Sequence, residues 1–198
     1  MKRIFVGMIV ILAPGLWAPS TAIAQQPLVI KALSEKSVTE LPPGPLFWRL
    51  ENFPTLAQAQ AAAGPTGLAA EADTKAWLFT LGPPGGSSTG GTKVAEVGPI
   101  PKVVAMQYLL RINEVTGPSG SITPVHTHPG SEAFYVLAGE QSIRSPHGVL
   151  HVKAGQAETG HGADMPMQVS SSGSSDLHAL VMFVVDATKP FSSPAKFP

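Results

Sequence analysis

From Val103 to the end of the chain, the apolar positions favour β-strands in short segments separated by glycine and proline. No long helical period interrupts this series. The predicted strands are the segments VVAMQYLLRINEV, SITPVHTH, EAFYVLAG, EQSIRS, GVLHVKAG, MPMQVSSS and LHALVMFVVDA. Short strands at close spacing with glycine-rich turns indicate an all-β sandwich or small barrel.

The last of these strands is apolar on both faces. Alternate side chains of a strand point to opposite sides of its sheet. One face carries Leu177, Ala179, Val181, Phe183 and Val185, and the other carries His178, Leu180, Met182 and Val184. Because both faces are largely apolar, we predict a central position for this strand.

The region before the barrel has a mixed pattern. Residues 25–45 are predicted to be an extended lead-in, and its segment Leu41-Pro42-Pro43-Gly44-Pro45 excludes a helix or a central strand. A short helix is predicted after Pro54, with Thr55 as its cap and Gly64-Pro65 as its end. Strands are predicted for KAWLFTL and KVAEV, and a flexible loop for GPPGGSSTGGTK between them.

The first 24 residues have the layout of a secretory signal peptide. A basic start, Met1-Lys2-Arg3, precedes an apolar run that ends in small residues at Ala22-Ile23-Ala24. The alternative is a membrane anchor, but Pro14 and Gly15 interrupt the run and it is short for a bilayer span. We therefore predict cleavage after Ala24, a periplasmic or secreted protein, and no membrane association after cleavage.

Composition narrows the classes of partner. Charged residues make up 13% of the chain, against about 25% in typical soluble domains. The chain has 13 basic and 13 acidic residues with no basic run, so it lacks the pattern expected for binding nucleic acid. It has no cysteine, which excludes disulfides. A small-molecule ligand is the predicted partner, and the sequence leaves a homodimer open.

The chemistry-bearing cluster is His126, His128 and Glu132. The two histidines are two residues apart on a predicted strand, so both side chains project to the same face. Glu132 follows a Pro129-Gly130 turn, and a hairpin between adjacent strands would return it to the histidines. Two imidazoles and one carboxylate suit a divalent transition metal, namely iron, manganese, zinc, copper or nickel. The alternative is a pair of ordinary, half-exposed strand histidines.

The same stretch resembles the first signature motif of the cupin superfamily. Gly120 and Gly139 bracket the cluster, and all five motif residues have the family's spacing. The resemblance implies a double-stranded β-helix, a small jelly-roll-like barrel, with a metal held by His126, His128 and Glu132. The predicted organisation is a signal peptide at 1–24, an extension at 25–102 with a short helix and strands packing on the barrel, a cupin barrel at 103–187 and a tail at 188–198. The tail, KPFSSPAKFP, is expected to lie along the surface.

The second cupin motif departs from the family pattern. Its proline-x-glycine step appears as Lys153-Ala154-Gly155, and Met167 occupies the position of the family's fourth ligand, a histidine. A thioether is a poor ligand for hard divalent cations. His161, in an expanded loop before Met167, is the alternative fourth ligand.

The resemblance implies metal-dependent binding of, or chemistry on, a small molecule in the barrel. If the protein is an enzyme, an oxidoreductase of the dioxygenase type is the family-level expectation. The alternatives are a non-catalytic protein that binds a small ligand or a metal, and a structural barrel with an empty site. The fold alone does not choose among them, because one fold hosts many functions.

Overall fold

The structure is a computed structural model that describes residues 26–198. Its one helix is α1 (Leu56–Ala62). Its strands are β1 (Val29–Val38), β2 (Phe47–Phe53), β3 (Gly67–Ala72), β4 (Lys75–Gly82), β5 (Thr92–Val97), β6 (Tyr108–Gly117), β7 (His126–Thr127), β8 (Gly130–Ala138), β9 (Glu140–Ser145), β10 (Gly148–Lys153), β11 (Ala157–Thr159), β12 (Gln168–Ser171), β13 (Leu177–Asp186) and β14 (Ser193–Pro194). The all-β prediction is confirmed. The predicted signal peptide lies outside the described residues.

Within residues 26–198, no helix has the length and apolar character needed to cross a membrane.

Two antiparallel layers form the barrel. The first is a five-stranded sheet in the order β1-β6-β13-β8-β11. The second contains the three-stranded sheet β10-β9-β12, and single bridges from Ile122 to Ser170 and from His126 to Met167 extend it to β7 and β14. Apolar side chains of both layers meet in one interior cluster, which includes Val136 and Val181 from the first layer and Ile143 from the second.

Strand β13 is central, as predicted. It pairs with β6 on one side and with β8 on the other. Its inward face packs in the barrel interior, while Leu180, Met182 and Val184 pack on the opposite side of the sheet. There they meet Trp48 and Trp77 of a separate four-stranded sheet, β3-β4-β2-β5. The five-stranded sheet is therefore a middle layer, which explains why its central strand is apolar on both faces.

The predicted helix and its cap are confirmed. The Thr55 hydroxyl oxygen accepts a hydrogen bond from the Gln58 backbone N–H at 3.2 Å, which satisfies one of the free N–H groups of the first turn. The helix packs through Ala59 on the outer face of the four-stranded sheet, against Phe53 and Leu78. The part of the extension from β2 to β5 thus forms an outer layer over the barrel.

The strand predicted to begin at Val103 begins at Tyr108 instead. Tyr108 is the first residue of β6, and it has partners on both sides, Val38 of β1 and Asp186 of β13. The residues before it have no neighbouring strand, and Met106 is 87% exposed. Strand β1, which lies in the segment predicted to be an extended lead-in, is the edge strand of the barrel sheet.

The glycine-rich loop between β4 and β5 is tied to strand β2. The buried Glu51 carboxylate accepts hydrogen bonds from the Ser88 N–H and hydroxyl, both at 2.7 Å. Arg49 donates from Nε to Glu51 at 3.0 Å and from Nη1 to the Gly85 carbonyl at 3.0 Å. Burial acts to raise the pKa of Glu51, but these hydrogen bonds outweigh it, and the net pKa is lowered.

We expect Glu51→Gln to destabilise the protein by roughly 2 kcal/mol at neutral pH, because it removes charge-assisted hydrogen bonds from a buried group. A carboxyl with a lowered folded-state pKa contributes stability above its unfolded pKa, and this contribution is lost as the pH falls through the folded value. The deficit of Glu51→Gln should therefore shrink in acid. Urea unfolding at neutral pH and at about pH 3 measures it, with the exposed Glu71→Gln as the control. An equal deficit at both pH values would contradict an ionic role.

Candidate functional site

The three motif residues line one cavity inside the barrel. The cavity has a volume of about 340 Å³, and His126, His128 and Glu132 are all on its wall. Most of the remaining wall is apolar, including Leu28, Val115, Phe134, Val181, Phe183 and Phe191. Asn113 adds a buried amide. A mainly apolar cavity with a few polar groups is typical of small-molecule sites.

The histidines and the glutamate reach the cavity from different sheets. His126 lies on β7, which pairs with β14, whereas Glu132 lies on β8, which pairs with β13 and β11. The predicted hairpin between the two strands is therefore wrong. The chain crosses from one layer to the other at Pro129-Gly130, so the side chains share the interior across the barrel.

Both histidine rings have a defined tautomer. His126 Nδ1 lies 2.8 Å from the Pro124 carbonyl oxygen, and His128 Nδ1 lies 2.6 Å from the Phe191 carbonyl oxygen. A carbonyl can only accept, so each Nδ1 carries a proton, and in the neutral form of each ring Nε2 keeps its lone pair. The ring centroids are 5.0 Å apart, edge to face. Metal-ligating histidines commonly donate their other N–H to such a carbonyl.

The carboxyl of Glu132 is buried and lacks a partner. Its Oε1 atom has no hydrogen-bond partner among the described residues. Burial raises the pKa of Glu132 to about 8. Burial also lowers the pKa of His128 to about 4, although the hydrogen bond to the Phe191 carbonyl acts in the opposite direction. Both groups are thus mostly uncharged at neutral pH in the absence of a ligand.

Gly160 packs directly on the Glu132 side chain. Its N–H donates to the Glu132 carbonyl oxygen at 2.9 Å, which continues the register of β11 against β8. A Cβ added to Gly160 would overlap Glu132 Cγ and lie 3.0 Å from Oε1. The absence of a side chain at Gly160 therefore leaves the space that the carboxyl occupies.

The two candidates for a fourth ligand lie in different places. Met167 is directly opposite His126, with backbone N–H to carbonyl hydrogen bonds of 2.9 and 2.8 Å in the two directions, and it is buried in the barrel interior. Neither Met167 nor His161 lines the cavity, and the His161 ring centroid lies 6.0 Å from that of His147. The fourth position remains a prediction.

The donor set fits a divalent metal in its chemistry but does not form a ready-made ligand cluster. Two Nε2 lone pairs and an unpartnered carboxyl oxygen are suitable donors. Yet among residues 26–198, no group of three or more His, Asp or Glu side chains has an arrangement that could hold a metal ion. Metal binding at these residues would require the side chains to move closer together.

No family model and no curated protein matches the chain. Solved structures similar to it include a cupin superfamily protein from Desulfitobacterium hafniense, at 14% identity and a TM-score of 0.35 over 39% of this chain and 68% of the other. A cupin-like protein from Thermotoga maritima has 13% identity and a TM-score of 0.39, over 44% and 65% of the two chains. A DMSP lyase from Ruegeria pomeroyi has 22% identity and a TM-score of 0.38, over 43% of each chain.

This chain spans about two thirds of the length of the first two of these proteins and less than half of the lyase. Its own two facing antiparallel sheets, with the motif side chains on the wall between them, match the architecture that the first motif implied. The barrel has a cupin-type fold.

The C-terminal tail is part of the site, which the sequence did not indicate. The tail was expected on the surface, but β14 pairs with β7, and Phe191 and Ser192 line the cavity. Asn113 was also missed, although a polar residue on the same face of β6 as Leu109 and Val115 is a usable signal. Phe191 gave no such signal, because the proline-rich tail has no strand or helix periodicity that would indicate which way an aromatic residue faces.

Proposed function

We propose that this protein is an exported cupin that binds a divalent transition metal through His126, His128 and Glu132 and binds or transforms a small, mainly apolar molecule in the barrel. One observation carries the proposal. The buried carboxyl of Glu132 has an unpartnered oxygen in a cavity that it shares with two histidines whose Nε2 atoms retain their lone pairs.

An unpartnered buried carboxyl is unfavourable for the folded state, which favours a ligand at that place. His126 and His128 would supply neutral nitrogen donors, and Glu132 would release its proton to supply an oxygen donor. Bound there, the metal would supply a Lewis acid with open positions for water, dioxygen or a bidentate oxygen ligand.

The rest of the wall suits binding more than acid–base chemistry. Besides the three proposed ligands, none of the residues that line the cavity in the described part of the chain is titratable. If those three hold a metal, no wall side chain remains to act as a general acid or base. The apolar wall would bind and dehydrate the ligand, and the Asn113 amide would orient its polar group.

A wall of this composition is compatible with two functions, and a direct test distinguishes them. Dioxygenase-like chemistry would draw its reactivity from the metal, whereas a non-catalytic cupin would only hold a small ligand or a metal. Oxygen consumption by metal-loaded protein with catechol- or flavonol-like compounds distinguishes them. Consumption above that of the free metal supports the enzyme, and its absence with intact metal binding supports the binding protein.

Export has a consequence for metal identity. With cleavage after Ala24, we propose that the protein folds and fills its site outside the cytoplasm. Intrinsic affinities for divalent metals rise towards copper, with zinc close behind. These two metals are therefore the favoured occupants, and zinc, which has no redox chemistry, is the practical probe.

We expect the double variant His126→Ala/His128→Ala to lose at least about 100-fold in zinc affinity, because it removes two of the three donors. Isothermal titration of metal-free protein measures the affinity. Zinc should also raise the unfolding temperature of the wild type but not of the variant, since a ligand of the folded state stabilises it.

The matched control is His147→Ala/His151→Ala, which removes two exposed histidines four residues apart. This control should bind zinc as the wild type does. Wild-type affinity in the His126→Ala/His128→Ala variant would show that the metal assignment is wrong.

A further inference from the structure

The C-terminal tail crosses the cavity and places one aromatic ring on its wall. Strand β14 and the Ala195 N–H, which donates to the Val125 carbonyl at 3.0 Å, fasten the tail along β7. Just before β14, the Phe191 ring lies 4.8 Å from the His128 ring and 4.9 Å from the Phe183 ring, centroid to centroid. The wall beside the histidines is therefore formed by two phenylalanines, one from β13 and one from the tail.

The Phe191 ring also contacts a cation. The Arg111 guanidinium carbon lies 4.4 Å from the ring centroid, within range of a cation–π interaction. Arg111 is itself oriented, because its Nε donates to Asn113 Oδ1 at 2.9 Å and its Nη1 lies 3.6 Å from a Glu35 carboxylate oxygen. The ring therefore lines the cavity and also contacts an arginine that has two other partners.

Backbone and side chain of Phe191 have separable roles. The Phe191 carbonyl oxygen accepts a hydrogen bond from His128 Nδ1–H, whereas the Phe191 ring occupies space at the cavity. Truncation of the Phe191 side chain leaves the backbone carbonyl in place and removes the ring from the cavity wall. The volume of about 340 Å³ is near the lower end of the range for small-molecule pockets, roughly 300–1,000 Å³, so the loss of one ring is a large relative change.

We propose that Phe191 is a specificity-determining residue whose ring limits the width of the ligands that the barrel accepts. The ligand class is a small apolar or aromatic molecule, about one ring wide beside Phe183, with a polar group directed to the histidines. The proposal rests on the proposed function only in taking this cavity as the ligand site. It does not require a metal.

The tail supplies its own control in Phe197. The Arg144 guanidinium carbon lies 4.6 Å from the Phe197 ring centroid, so this residue has the same type of arginine contact. Phe197 is not on the cavity wall. Phe191→Ala and Phe197→Ala thus remove equal side chains from equivalent arginine contacts, and only the first widens the cavity.

The experiment measures binding of N-phenyl-1-naphthylamine, a neutral fluorescent probe wider than one ring, to metal-free protein. We expect Phe191→Ala to bind the probe at least about 10-fold more tightly than the wild type, because steric exclusion by one apolar group changes affinity by about 10-fold or more. Phe191→Leu should fall between them, and Phe197→Ala should stay within about twofold of the wild type.

Equal probe affinity in Phe191→Ala and the wild type would overturn the proposal, and so would an equal gain in Phe197→Ala. Absence of probe binding in every variant would also overturn it, since the widened cavity has to admit the probe. Phe191→Leu keeps most of the buried apolar surface, so a shift in that variant separates cavity width from a loss of folding. Failure of the zinc assignment would leave this result unchanged, because the measurement uses no metal.

Discussion

Gly130→Ala is expected to destabilise the protein by about 4 kcal/mol or more, which places it among the severe single substitutions. Gly130 is the first residue of β8, and it pairs with Val185 of the central strand β13. A Cβ at this position would overlap the Val184 carbonyl oxygen and press on the Val185 Cα atom. These are backbone atoms of a strand paired on both sides, so they cannot rotate away as a side chain would.

Urea unfolding of purified protein measures the loss, read as a lower midpoint at an unchanged slope. Gly82→Ala is the matched control, because no atom lies within 4 Å of its added Cβ. We expect that variant to stay within about 1 kcal/mol of the wild type. If Gly130→Ala proved as stable as Gly82→Ala, β8 and β13 would not approach each other as closely as described.

Gly130 also shows how local signals can mislead about a residue's role. The sequence presents Pro129-Gly130 as a turn, and turn chemistry explains such a pair without reference to any distant strand. The requirement for glycine instead comes from Val184, more than fifty residues away in the chain. Gly120 and Gly139, which bracket the motif, have φ of 85° and 75°, in the left-handed region that favours glycine.

Features that depend on neighbours in the chain were predictable. The nearly continuous apolar run along 177–185 places β13 at the centre, and Thr55 caps the helix, because an apolar run and a cap are local properties. Features that depend on the pairing of strands were not predictable. The start of β6 at Tyr108 is decided by its pairing with Val38 and Asp186, and the sequence near Val103 contains no signal of either partner.

The candidate site divides in the same way. Motif spacing selects His126, His128 and Glu132, and all three line one cavity. Which sheets carry them is decided by strand pairing across the barrel. The predicted hairpin is therefore wrong, although the two histidines and the glutamate share the same cavity. Phe191 enters the site only because the tail pairs with β7, a contact between chain positions more than sixty residues apart.

Gly160→Ala is expected to lower zinc affinity by about 10- to 100-fold, the range for substitutions that disturb the support of a metal ligand. The added methyl would take the space of Glu132 Cγ and crowd Oε1, and it would also lie 2.9 Å from Phe134 Cε2. A flexible glutamate side chain yields more readily than a packed aromatic ring. The carboxyl should therefore be displaced from the cavity, so the proposed oxygen donor is lost while the barrel strands stay in place.

Gly162→Ala, two residues further along the same loop, is the control. Its Cβ would make an ordinary contact of 3.4 Å with Pro101, so zinc affinity should match that of the wild type. Zinc titration and unfolding of the metal-free protein, measured on both variants, separate the site from the fold. A fall in affinity for Gly160→Ala with a metal-free stability within about 1 kcal/mol of the wild type supports displacement of Glu132. A large loss of stability with unchanged affinity would show that the loop, and not the carboxyl, had moved, and that Glu132 does not depend on Gly160 for its place in the cavity.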